Sequence, residues 1–64
     1  MKGKIRVLKG DKAFGFIQGE DSKDYFFHRS ALRNAQFDDL EVGQAVEFKP
    51  TNGDKGPRAE DVNV

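Results

Sequence analysis

Asp24, His28 and Ser30 lie within seven consecutive positions and are the residue types of a hydrolase: an orienting acid, a base and a hydroxyl. Their spacing argues against that chemistry. On one face of an extended strand Asp24 and His28 stand about 13 Å apart, far beyond the hydrogen bond that couples an acid to its base. One histidine and no cysteine offer no cluster for a transition metal, and Glu20, Asp21 and Asp24 lack the spacing of a calcium loop. No Gly-x-x-x-x-Gly-Lys-Ser/Thr loop is present to hold a nucleoside triphosphate. The residues therefore predict a protein that is not an enzyme, with no cofactor, no metal and no small-molecule substrate.

The side chains left to do chemistry are aromatic. Phe14, Phe16, Tyr25, Phe26 and Phe27 fall within fourteen positions. In a strand, alternate residues face opposite sides, so these rings cannot all be buried. If Gly15 and Ile17 point inward, Phe14 and Phe16 point outward; if Tyr25 and Phe27 are buried, Phe26 and His28 are not. The outcome is an exposed aromatic platform, a surface that soluble proteins seldom leave unused. Rings two residues apart on a strand are separated by about 6.6 Å, too far for bases still stacked on one another, so the fitting ligand is an unpaired single strand. The competing reading is an interaction barrel whose aromatic patch docks on another protein chain.

These side chains need a sheet to hold them. Lys2 to Leu8 alternates Lys4 and Arg6 with Ile5 and Val7 and predicts a first strand with Ile5 and Val7 inward and a basic outer face. Lys9 to Lys12 is a turn, Ala13 to Gln18 a second strand, Gly19 to Lys23 another turn and Asp24 to His28 a third strand. Ser30 to Phe37 suits a helical turn or two with Ser30 as a cap, and no long helix is expected. Ala45 to Lys49 makes the fourth strand, closed by Pro50; Thr51 to Pro57 forms a loop and Arg58 to Val64 the last strand. Five short strands in a flat sheet would leave one face and two edges open, so the expected fold is all-β, an antiparallel sheet curled into a small barrel.

At 64 residues the chain has room for a single domain, residues 1–64. Its formal net charge is zero, but residues 1–12 carry five cations against Asp11, a local +4 that the remainder offsets. Such a stripe suits a phosphate backbone running past the rings. The lack of cysteine, of a signal-like start and of any long apolar run predicts a cytoplasmic protein with no membrane partner.

Lys12-Ala13-Phe14-Gly15-Phe16-Ile17 resembles the first ribonucleoprotein motif of the cold-shock domain, and Tyr25-Phe26-Phe27-His28-Arg29-Ser30-Ala31-Leu32 resembles its second. The stretches Leu40 to Phe48 and Gly56 to Val62 are similar to the family's approach to strand four and its closing Gly-Pro-x-Ala strand. In order and spacing the resemblance runs the full chain. It implies a five-stranded OB-type barrel that binds single-stranded RNA and DNA with little sequence preference, as an RNA chaperone or transcription antiterminator. Carried onto this sequence, it makes Phe14, Phe16 and Phe26 the stacking rings, His28 a fourth surface and Phe37 a loop aromatic closing over the strand. Lys4, Arg6 and Lys12 match basic positions near phosphates, and Arg58 adds one on the last strand. Val7 and Leu8 stand where many members have Trp-Phe, which makes Leu8 a binding position. Arg29 stands where an aromatic often follows the histidine and offers its guanidinium plane instead, and Ala13 replaces the usual glycine. A monomer is expected, with a swapped dimer as the other arrangement that the strand edges permit.

Overall fold

Alternation of apolar and polar residues sets the early strands, and their faces follow from it. The computed structural model describes residues 1–53 and 56–64; Asp54 and Lys55, at the tip of the expected last loop, lie outside the described residues. Strands β1 (Lys2–Lys9), β2 (Phe14–Gly19), β3 (Asp24–His28), β4 (Ala45–Gly53) and β5 (Gly56–Asn63) close into a barrel in the order β1-β2-β3-β5-β4. β1, β2 and β3 form an antiparallel meander, β4 pairs antiparallel with both β1 and β5, and among the described residues β3 pairs in parallel with β5 at Phe26 and Arg58. The all-β barrel predicted from the sequence is the architecture observed.

Ile5, Ile17, Tyr25, Phe27, Leu40, Val46, Phe48, Ala59 and Val62 form the core. Burying each large apolar side chain contributes about 1.5–3 kcal/mol. The Tyr25 ring lies 5.0 Å from that of Phe48. Its hydroxyl reaches the barrel rim and donates to Asp21 Oδ2 at 2.6 Å, while Asp21 Oδ1 accepts from Lys23 N, so one carboxylate fixes the β2–β3 turn.

Three local expectations give way to tertiary structure. β4 continues through Pro50, which lies opposite Ala59 of β5; β4 pairs with β1 only between Ala45 and Glu47, so past Lys49 it has a strand neighbour on one side and the missing N–H costs no ladder bond. The Ser30–Phe37 segment makes no continuous helix. Two separate 3-10 turns, Arg29–Ala31 and Phe37–Asp39, overlap its two ends, and the cap of the first is His28, whose Nδ1 accepts from Ser30 N at 3.2 Å.

The third departure is in β1, where register shifts between Ile5 and Val7. Ile5 pairs with Ile17, Val7 with Phe16 and Leu8 with Gly15, so Arg6 is the extra residue of a bulge. Beyond it the faces exchange. Val7 joins the outward Phe16, contrary to its expected place in the core, and Leu8 turns inward to pack half-buried against the core. A comparable shift between Glu47 and Lys49 places three residue steps of β5 against two of β4; Asp61 takes up the extra residue at φ +50°, and Ala59 and Val62 are both buried.

Candidate nucleic-acid interface

β2 and β3 sort their rings by face. Gly15, Ile17, Tyr25 and Phe27 are buried, whereas Phe14, Phe16, Phe26 and His28 are half-exposed on the outer side. Gly15 permits this: a Cβ there would run into the Val7 carbonyl oxygen of β1 and meet the Phe27 ring at 2.9 Å. The strand can therefore lie flat on the core between two outward phenylalanines.

On the outside the three rings form one cluster. Phe14 lies 5.4 Å from Phe26, Phe16 5.9 Å from Phe26, and Phe14 6.4 Å from Phe16, centroid to centroid. Their planes are inclined to one another by 42° to 86°, so each ring offers its own surface rather than part of a continuous floor. Bases laid on them must be splayed apart, as in an unpaired strand.

Pairing registers extend the cluster into rows. Val7, Phe16, Phe26 and Arg58 form one row across β1, β2, β3 and β5, and Lys9, Phe14 and His28 form the next. Neighbours within a row are about 4.8 Å apart. His28 is held in place by its cap bond. Because Nδ1 accepts from a backbone N–H, neutral His28 carries its proton on Nε2, leaving a donor free for a base or phosphate. Ser30 Oγ lies 3.1 Å from the same Nδ1; Asp24 is tied to Arg6, and the three residues form no relay.

The cations are distributed less simply than the sequence suggested. Lys4 shares a row with Gln18 and Asp24, Lys12 sits exposed in the β1–β2 turn, and Arg58 lies exposed beside Phe26. None of these three forms an ion pair among the described residues. Arg6 reaches from the bulge across β2 to Asp24, with its Nη1 3.2 Å from both carboxylate oxygens. The pair is exposed on both sides and therefore weak, so the charge is compensated but not locked.

Beyond the second row the platform runs into a groove of about 480 Å³ between the β1–β2 turn and the loop holding the two 3-10 turns. Arg29 lines it with an exposed side chain, its backbone N donating to Ala13 O at 2.9 Å. Phe37 also lines it, half-buried, with its ring 6.1 Å from core Phe27, so the same side chain anchors the loop and borders the groove. Of the residues expected at the interface, Leu8 is the one the bulge places on the inner side. Val7 and Lys9 hold the outward positions that sequence reasoning did not assign, and the adjacent apolar pair Val7-Leu8, which breaks the alternation of β1, was the signal for it.

The family model for the 'cold-shock' DNA-binding domain matches residues 1–64. The chain is 44% identical over 62 residues to the cold shock-like protein CspB of Bacillus cereus, covering 97% of this chain and 95% of that protein. It is 42% identical to CspC of Bacillus cereus over the same shares, and 43% identical over 61 residues to the cold shock protein CspA of Staphylococcus aureus strain USA300, covering 95% and 92%. A match of this length, on a barrel with its aromatic cluster facing out, makes the chain a member of the cold-shock domain family, whose proteins bind nucleic acids and are not enzymes.

Proposed function

We propose that this domain binds single-stranded RNA and DNA by stacking unpaired bases on Phe14, Phe16 and Phe26, with His28 as a fourth surface. Lys4, Lys12 and Arg58 take phosphates, Arg6 joins them when it leaves Asp24, and Arg29 and Phe37 receive the strand where it enters the groove. The observation that carries this reading is the ring cluster itself. Three phenyl rings 5.4–6.4 Å apart stay at the surface while a complete apolar core lies on the other side of the same strands. The domain acts as a cytoplasmic monomer, and holding RNA unpaired makes it an RNA chaperone or a transcription antiterminator. With no nucleotide hydrolysis to draw on, binding free energy alone drives the melting of weak RNA structure.

Titration of a labelled oligopyrimidine at two salt concentrations tests the proposal. Affinity is expected to fall as salt rises, with about 0.7 of a counterion released per phosphate contact. Phe16→Ala is expected to weaken binding by about 1–3 kcal/mol while the far-ultraviolet spectrum is unchanged. Equal affinity for the variant and the wild type, or no dependence on salt, overturns it.

A further inference from the structure

The groove next to the platform is lined by polar groups that have no hydrogen-bond partner among the described residues: the Arg29 guanidinium, the Gln36 amide and the Asp38 carboxylate. Leu32, Ala35 and Phe37 supply its apolar lining. Arg29 and Asp38 carry opposite charges in the same groove and yet form no ion pair there. A carboxylate beside a phosphate strand is unfavourable unless it accepts hydrogen bonds from the ligand. We propose that this groove is a guanine-selective base site, with Asp38 and Arg29 as its specificity-determining residues.

Donor and acceptor patterns lead to that base. A carboxylate needs two adjacent N–H donors, and guanine presents them as N1–H and the N2 amino group. Its O6 and N7 are a matched pair of acceptors for a guanidinium. Adenine and cytosine place an amino group next to an unprotonated ring nitrogen that repels the carboxylate. Uracil has one N–H flanked by two carbonyl oxygens. An aromatic ring bordering the groove gives the base a face to stack on, and single-stranded bases are read along these edges once splayed out. The strand reaches the site without a break, because Arg29 follows His28 directly and its backbone N is bonded to Ala13, the residue before Phe14.

This inference rests on the reading that bases stack on the neighbouring rings, and the test separates the two. Fluorescence anisotropy is measured with labelled heptauridylate and with heptamers carrying one guanine or one adenine at each position in turn. The wild-type protein is expected to bind one of the guanine oligonucleotides about tenfold more tightly than heptauridylate, and none of the adenine ones. Asp38→Asn, at an exposed position, is expected to abolish that preference while binding heptauridylate within about threefold of wild type; Arg29→Lys, which also alters a contact to the strand, is expected to abolish the preference and to weaken heptauridylate binding as well. If heptauridylate binds and guanine gives no preference at any position, or if the preference survives in both variants, the guanine site is overturned and the stacking platform stands. If none of the oligonucleotides binds, both readings fall.

Discussion

Ala13 shows what one side chain costs at the approach to the platform. It occupies the left-handed region at φ +55° in the turn before β2, where an L residue brings its Cβ against its own backbone, and its carbonyl accepts from Arg29 N. Glycine removes that strain but gives the unfolded chain more freedom. The balance predicts that Ala13→Gly stabilises the domain by about 0.5–1 kcal/mol, a rise of roughly 3–6 °C in Tm by calorimetry. Because the bond that positions Arg29 comes from the main chain, oligopyrimidine affinity is expected to stay within about twofold. The platform residues behave in the opposite way: their rings lie outside the core, so their loss is read in binding before it is read in melting.

The bulge at Arg6 decides which side chains of β1 face the ligand. Val7→Trp places a ring in the row of Phe16 and Phe26 and is expected to tighten oligonucleotide binding by about 1–3 kcal/mol, measured by anisotropy. Leu8→Trp drives the same ring into the core side and is expected to lower stability by about 1–3 kcal/mol instead, measured by chemical denaturation. Period-two alternation made β2 and β3 legible from the sequence: the four residues it turned outward, Phe14, Phe16, Phe26 and His28, all lie on the outer face. It misplaced Val7 because Lys4-Ile5-Arg6-Val7 alternates without a flaw, and the one mark of the skipped residue, the apolar pair Val7-Leu8, comes only at the end of that stretch. Pro50 misled for a related reason. Its cost depends on whether a neighbour needs its N–H, which is a property of the barrel and not of the strand. The ion pair that ties Arg6 to Asp24 was equally illegible, since it joins strands that are not adjacent.

For the molecule as a whole, charge enters stability at the β2–β3 turn. The hydrogen bond from Tyr25 holds the Asp21 carboxyl below the usual aspartate range, and the same bond, with loss of solvent around the ring, holds the Tyr25 hydroxyl above the usual tyrosine value. A depressed carboxyl pKa gives stability that is present above the unfolded value, near 4, and is lost as pH falls through the folded one. The raised hydroxyl gives stability that is complete below about 10 and is lost as pH rises through the folded value. A plot of Tm against pH is therefore expected to decline on both flanks, and Asp21→Asn to flatten the acid flank and reduce the alkaline one.

The barrel closes where β3 meets β5, and the segment after β3 extends that join through the Leu32–Val62 bridge. Among the described residues the ladder between β3 and β5 has one pairing, Phe26 to Arg58, and those two residues also stand side by side in the outer row of the proposed interface. A nucleotide with its base over Phe26 and its phosphate against Arg58 would act as a clasp across that join in the wall, so occupancy and mechanical integrity rise together.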